Sequence, residues 1–287
     1  MLATPESVLF DQEHAHPDAH ATLLVAEEAG EIIGTAQVAV AHESPRPGIG
    51  TANVYTHPGR EGRGAGLGLL RAAERLLAGL GVTRVYAWVP DEPRHRAFAA
   101  RRGYRPSRSA HFLRLDLTAA ALPERPLPPG VSLCTAADFA ADPRPLFDLD
   151  AATVRDEPGD VASEFDDYAH WLTGTWRHPL LDRGLTSVAV AGGRPVAFSV
   201  AYTDGAGRYL SAMTGTLREF RGRGLAALAK ADSLRRARDA GCTEAYTGND
   251  AQNAPMLAVN ARLGYRVTAT EVRHVRELTA DSGPEAG

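Results

Sequence analysis

Apolar residues in the second half of the chain switch between two periods. From Thr186 to Ala191 (TSVAVA) and from Val196 to Tyr202 (VAFSVAY) they form short, nearly unbroken runs on either side of Gly192-Gly193. That is the pattern of two buried strands joined by a tight hairpin turn. A third strand is predicted over about Arg208–Leu217, leading into a glycine-rich turn. Beyond the turn Leu225, Leu228, Ala229, Leu234 and Ala237 recur at helical spacing, and Gly241 suits a left-handed stop, so a helix is predicted from Leu225 to Ala240. A short strand at Ala245–Thr247, a helix over about Pro255–Arg262, and a last pair of strands near Tyr265–Val267 and Val272–Leu278 complete the series. Hairpins at the start with a strand–helix–strand unit in the middle make the class α+β.

The same order occurs twice. Gly62-Arg63-Gly64 recurs as Gly222-Arg223-Gly224, and Gly81-x-Thr83-x-x-Tyr86 as Gly241-x-Thr243-x-x-Tyr246, both at an offset of 160. Arg102-Gly103-Tyr104-Arg105 has a relative in Leu263-Gly264-Tyr265-Arg266, and Ala29–Val40 aligns with Ala191–Tyr202. Between the copies, Thr118–Gly130 (TAAALPERPLPPG) carries prolines that can continue neither a helix nor a central strand, and it reads as a linker. The expected division is residues 1–118, a linker at 119–130, residues 131–280 and a tail at 281–287.

Composition narrows the class. With 287 residues, 44% hydrophobic and 23% charged, the chain has the makeup of a folded globular protein of two domains. A net charge of −4 supplies no uniformly basic surface, which argues against nucleic acid as a partner. Lys230 is the only lysine among 31 basic residues, a bias typical of GC-rich bacterial coding. Cys134 and Cys242 form no disulfide framework and no metal-ligand spacing. The N-terminal stretch has neither the basic flank of a signal peptide nor a span-length apolar run, so a cytoplasmic protein with no membrane partner is expected.

The turn RGRGLA, Arg221–Ala226, follows a predicted strand and opens a predicted helix. Its glycines let the backbone approach an anion, and the first helical N–H groups lack intrahelical acceptors, so phosphate oxygens suit them. No G-K-[ST] follows, and Gly222-x-Gly224 continues to Ala227, so neither a Walker loop nor a dinucleotide fingerprint is present.

Arg221-x-x-Gly224-x-Ala226 resembles the pyrophosphate motif R/Q-x-x-G-x-G/A of the GNAT family of acyl-CoA N-acyltransferases. The stretch from Asn249 through Asn253, Met256-Leu257 and Asn260 to Leu263-Gly264-Tyr265 is similar to the closing helix and strand of many bacterial members. The resemblance covers 131–280 and, more weakly, 22–117. It implies two tandem GNAT-like domains, each a mixed, mostly antiparallel sheet with flanking helices, and acetyl-CoA as co-substrate. It further implies that Arg221, Gly222, Arg223, Gly224, Leu225 and Ala226 hold the diphosphate. Leu217 and the neighbouring strand backbone would lie beside the coenzyme, and Asn253 near its pantetheine arm. The reaction is direct attack of a primary amine on the thioester, with a small, cationic metabolite or amino antibiotic expected as acceptor. A protein lysine or N-terminus, or an acyl-CoA sensor without transfer, are the alternatives, and a homodimer is compatible with either.

Two departures stand out. The tyrosine that often protonates the leaving thiolate is replaced by Asn260, which cannot supply a proton, leaving Tyr246, Tyr209 and Tyr202 as substitutes or solvent as the source. The third strand of the second copy also contains no carboxylate. Carboxylates concentrate instead between Ala141 and His170, where nine acids (Asp142, Asp148, Asp150, Asp156, Glu157, Asp160, Glu164, Asp166, Asp167) face only Arg144 and Arg155. This segment reads either as an acidic wall that draws a cationic amine or as a solvated helix face. Asp156 and Glu157, beside Pro158-Gly159, are the candidate proton acceptors, with Tyr246 the candidate acid. Phe165, Tyr168, Trp171 and Trp176 at helical spacing read as core more than as a substrate platform. His14, His16 and His20 lack an acidic or cysteine partner, and no metal is expected.

The first copy carries Glu61 where the second has Arg221, Glu92 for Asn253 and Ala99 for Asn260. A carboxylate beside a diphosphate opposes binding. Few residues precede its first strand, so the helices that shape an acceptor cleft are largely missing, and a structural or regulatory role is expected.

Overall fold

The structure, a computed structural model, describes residues 2–158 and 167–278. In the first half the elements run α1 (Pro5–Glu13), β1 (Thr22–Glu28), β2 (Glu31–Val40), β3 (Ile49–Thr56), α2 (Ala65–Gly79), β4 (Arg84–Pro90), α3 (Pro93–Ala100) and β5 (Arg105–Asp116). In the second they run β6 (Val131–Thr135), α4 (Arg144–Val154), α5 (Tyr168–Trp171), β7 (Ser187–Ala191), β8 (Arg194–Thr203), β9 (Arg208–Thr216), α6 (Leu225–Asp239), β10 (Glu244–Asp250), α7 (Ala254–Leu263) and β11 (Arg266–Glu277).

The chain forms two compact units that are not consecutive stretches: Gln12–Ala110 with the chain from Thr270 onward, and His111–Ala269 with the chain up to Asp11. The repeat divides the chain in order, at 118 and 131. The units instead follow the last strand of each copy, which starts in one unit and ends in the other.

In the first unit β1, β2 and β3 pair antiparallel, β3 runs parallel to β4, and β4 pairs antiparallel with Glu271–Glu277 of β11. Leu69, Leu70, Ala73 and Leu77 of α2 cover Ala36, Val38, Ala52 and Val85 of the sheet, the stripe expected of an amphipathic helix on a half-buried surface. Arg276 and the Tyr104 hydroxyl both donate to the Glu74 carboxylate, at 2.9 and 2.8 Å, which ties the end of β11 to α2.

In the second unit β6–β9 form an antiparallel meander and β9 runs parallel to β10. The end of β5 lies on the far side of β10. Leu117 N–H donates to Thr243 O at 2.9 Å, and Arg114 pairs with Glu244. Both α4 and α6 pack against β8 and β9. The hydroxyl of the wholly buried Tyr209 bonds Ser233 at 2.7 Å, and Ser233 donates to Leu185 O at 2.6 Å, so these two buried hydroxyls are satisfied. The proline-rich 119–130 segment is pinned along α6, where Arg235 and Arg238 donate to Pro123 O and Ala120 O at 3.2 and 3.3 Å.

Three local expectations are corrected. The two final strands of the second copy are one strand, β11, because no turn residue interrupts Val267–Val272. β10 extends three residues beyond Thr247. The aromatic helix is only α5 followed by a π-helical turn, Leu172–Trp176, closed by Arg177 N–H to Leu172 O at 3.2 Å. Trp171 and Trp176 stack at 5.9 Å within the core, which is the packing role of the aromatics; Phe165 lies outside the described residues. Among the described residues no helix is long and apolar enough to cross a membrane.

Gly215 allows α4 to approach β9: a Cβ there would lie 2.6 Å from Thr153 Oγ1 and 2.7 Å from Thr153 Cβ. Gly215→Ala is expected to lower stability by about 1–3 kcal/mol through overpacking. Gly68→Ala, inside α2 where a Cβ meets nothing within 4 Å, is expected to raise it by about 0.5–1 kcal/mol. Urea unfolding midpoints of the two variants should move in opposite directions.

Candidate functional site

The parallel pairing of β9 with β10 stops at Ser211↔Thr247, although β9 continues to Thr216 and β10 to Asp250. A bulge helps to part them. Ser199↔Thr214 is followed by Ala201↔Ser211, so Ala212 and Met213 of β9 oppose the single residue Val200 of β8. A cavity of about 600 Å³ opens between the parted strands, lined by Ala212–Thr216 on one side and Thr247–Asn249 on the other. Two strand edges that face a cavity without pairing offer their amides and carbonyls to an extended ligand.

The cavity continues to the glycine-rich turn. Arg221 is extended, Gly222 and Gly224 both have φ of +76°, and Gly224 caps α6 without a side-chain bond. A left-handed conformation on both sides of Arg223 suits glycine and aims the first amides of α6 outward. Gly222, Gly224, Leu225 and Ala226 line this end together with Arg221 and Arg125, whose Nη1 would lie 3.9 Å from a Cβ at Gly224, and Arg262 also lines the cavity. Amides at a helix start with guanidinium groups nearby suit a diphosphate, so the residues present fit the diphosphate end of acetyl-CoA.

The structure distributes the sequence candidates unevenly. Arg221, Gly222, Gly224, Leu225, Ala226 and Asn253 line the cavity. Asn253 also caps α7, its Oδ1 accepting from Met256 N–H at 3.2 Å. Leu217 is buried in the core and Arg223 lies over the Phe220 ring, so their side chains are outside the lining. Asp156 reaches the site, but as a partner of arginines. It accepts from Arg218 Nε at 2.9 and 3.0 Å and from Arg221. The Arg218 bonds above all, against the opposing cost of desolvation and with help from Arg221, hold its carboxyl well below the usual carboxylate range. A carboxylate so held accepts a proton poorly at neutral pH. Glu157 lines the cavity next to it.

None of the substitute tyrosines lines the cavity. The Tyr246 hydroxyl donates to Glu244 at 2.6 Å and that bond raises its pKa. Tyr209 is bonded to Ser233 inside the core. Tyr202 stacks on His178 at 4.8 Å, its phenol pushed up to about 12 by burial, with Asp150 and Asp11 adding to the shift. Asn260 is wholly buried and donates to Asn249, its own carbonyl oxygen unpartnered.

Sequence reasoning missed Lys230 and Arg125. Lys230 lies on the buried face of α6, where the helical pattern predicts an apolar residue. It is 1% exposed and lines the cavity, and burial lowers its pKa to about 7. Its being the chain's lone lysine was the available signal. Arg125 comes from the linker and carried none.

Other described acids of the 141–170 segment are held in local structure. Asp148 pairs with Arg144, Asp150 accepts from Trp171 Nε1 at 2.9 Å, and Asp167 caps α5. Asp160, Glu164 and Asp166 lie outside the described residues. Of the N-terminal histidines, His16 caps a short turn and stacks on His42 at 4.4 Å. Among the described residues no three His, Cys, Asp or Glu side chains gather around a common point.

In the first copy β3 and β4 also part, after Thr51↔Tyr86, but Asn53 Oδ1 accepts from Trp88 N–H at 2.9 Å and bridges the slot. Glu61 pairs with Arg94 at 2.7 Å and Arg63 with Glu28 at 2.7 Å, so the charges of this turn are neutralised internally.

The profile of the Acetyltransferase (GNAT) family matches residues 3–104 and 148–265. A mycothiol acetyltransferase of Nocardia farcinica (strain IFM 10152) is 40% identical over 119 residues, 42% of this chain and 37% of the relative, so the match spans little more than a third of that protein's length. Among solved structures, a GCN5-related N-acetyltransferase from Sphaerobacter thermophilus superposes with a TM-score of 0.73 at 23% identity, over 96% of this chain and 86% of its own. A tandem GNAT protein from the clavulanic acid biosynthesis pathway gives 0.72 at 23% identity, over 99% and 90%. At that identity both speak for the fold.

Asp156→Asn is expected to leave turnover within a few-fold, whereas loss of a general base would slow it by roughly 10²–10⁴. Its calorimetric affinity for CoA should rise, because Arg218 and Arg221 lose a competing anion. Lys230→Met is expected to be more stable than the parent near pH 7. The unfolded chain binds the lysine proton up to its ordinary pKa and the folded one only to about 7, so parental stability climbs between those values and the gap should narrow as pH rises. Melting temperatures across that range measure the narrowing.

Proposed function

The chain belongs to the acetyltransferase (GNAT) family, for which acetyl-CoA is the acetyl donor, and from that premise we propose that its second copy acetylates the primary amine of a small cationic metabolite or amino antibiotic. The observation that carries this reading is the contrast between the copies. In the second, the strands part into a cavity that runs to the Arg221 turn; in the first, Asn53 bridges the slot and Glu61 occupies the turn. The relative named mycothiol acetyltransferase supports a small-molecule acceptor.

The coenzyme supplies an activated acetyl thioester. Arg221, Arg125, Arg262 and the first amides of α6 would hold its diphosphate, and the free edges of β9 and β10 its extended arm, with Asn253 at the start of α7 beside it. The bulge residues Ala212 and Met213 line the cavity, where their main-chain amides would steady a developing oxyanion. Asp156 serves the coenzyme end rather than the amine. Glu157 or water is left as acceptor of the amine proton.

A second reading has one observation behind it. With Asn260 in the tyrosine position and no tyrosine on the cavity wall, the second copy would bind acyl-CoA without transfer. Release of free thiol from acetyl-CoA separates the two. Transfer predicts release that depends on a primary amine; binding without release across a panel of cationic amines supports the sensor. Gly224→Ala, which strains a residue at φ +76°, should weaken CoA binding at least tenfold. Gly64→Ala in the first copy should leave turnover unchanged.

A further inference from the structure

We propose that Lys230 is the proton donor to the departing thiolate of the second copy, in the role left vacant by Asn260. The inference rests on the reading of the second copy as an acetyltransferase. It starts from position. Lys230 Nζ lies 3.3 Å from Thr247 Oγ1, and Thr247 Oγ1 donates to Ser211 O at 3.2 Å. Ser211 and Thr247 are the last residue pair before β9 and β10 part, so the ammonium sits at the closed end of the slot, beside the Ala212–Met213 bulge. The diphosphate turn is at the other end.

The chemistry of the group is the second observation. Lys230 has three donors and a single hydrogen bond, and among the described residues no carboxylate pairs with it. The titratable group against it is Tyr265, whose ring lies 5.2 Å away with a buried, unpartnered hydroxyl. The charged side chains lining the same cavity are Arg125, Asp156, Glu157, Arg221 and Arg262. An isolated buried ammonium is costly, and every other cationic Lys or Arg position in this chain is arginine. Arginine cannot release its proton, whereas a desolvated lysine can. The chain's one lysine thus lines the cleft as a buried cation that can become neutral. Burial brings its pKa to about 7, below the roughly 8.5 of an ordinary thiol, so transfer to sulfur runs downhill.

In this step the acceptor nitrogen bonds to the acetyl carbon, the carbon–sulfur bond breaks, and its electron pair goes to sulfur. Lys230 gives sulfur a proton and becomes a neutral amine. The acceptor nitrogen sheds one proton to water, and Lys230 regains one from water before the next turnover.

The experiment uses the full chain labelled with ¹⁵N-lysine, whose one ζ resonance reports this residue alone. Its titration midpoint is followed with CoA and with desulfo-CoA, which lacks the sulfur. Where Lys230 titrates, the CoA sulfur is still a thiol, and an S–H that faces the amine donates to its neutral form, so the midpoint should fall with CoA relative to desulfo-CoA; equal midpoints overturn the proposal. In parallel, Lys230→Met and Lys230→Arg should each lower kcat by about 100-fold or more, keep the KM for acetyl-CoA within about threefold, and lose the fall in kcat on the alkaline side. Full kcat in either variant, with an active parent, overturns the proton-donor role and leaves acetyl transfer standing. A parent that acetylates no amine removes the acetyltransferase reading instead, while the resonance comparison still decides whether Lys230 faces the sulfur.

Discussion

The parting of β9 from β10 beyond Ser211 and Thr247 is the constraint on which the site depends. Paired strands consume their own hydrogen-bonding groups, and strands that separate inside a protein need another partner for them. The bulge at Ala212–Met213 starts the separation on one side, and the close approach of Thr153 to Gly215 supports β9 from α4. Because β9 runs straight into the Arg221 turn, the slot and the anion-binding end are parts of one continuous segment of chain. The first copy has the same strand order and ends its pairing within a residue of the matching place. There a single amide side chain, Asn53, spans the slot with a hydrogen bond.

Charge is arranged differently in the two turns. In the first copy the acid belongs to the turn itself, and Glu61 is paired with Arg94. In the second the acid comes from another part of the chain: Asp156 lies between Arg218 and Arg221, and Arg221 remains on the cavity wall. An arginine held by a displaceable carboxylate is preset for a better anion, whereas a glutamate built into the turn opposes one at all times. The acidic segment that looks in sequence like an acceptor wall is largely occupied with caps, an indole and arginines. Of the described acids of that segment, Asp156 and Glu157 reach the cavity.

Much of the fold was legible in the chain because each copy repeats short-range signals. The hairpin at Gly192-Gly193, the stop at Gly241 and the apolar stripe of α6 are decided by local backbone preference and helical period, and the structure agrees to within a residue or two. β11 was read as two strands and the aromatic helix as longer than α5. No turn residue breaks β11, whose end is held by β4, and the aromatics continue α5 as a π-helical turn that departs from the α-helical period. The exchange of last strands leaves no mark on periodicity, because a strand reads the same whichever sheet it joins.

The residues by themselves determined the tandem repeat, the α+β class, the glycine–arginine turn and the absence of a tyrosine at position 260, since each depends on identity and spacing along the chain. Only the tertiary structure decided that Asp156 binds arginines, that Tyr246 points to Glu244, that the linker delivers Arg125 and that Lys230 lies at the closed end of the slot. Apart from the Tyr246–Glu244 bond, these are contacts between residues far apart in the chain, 17 positions for Lys230 and Thr247 and 65 for Asp156 and Arg221. Contacts of that kind are set by how strands and helices stack, and sequence spacing does not encode them.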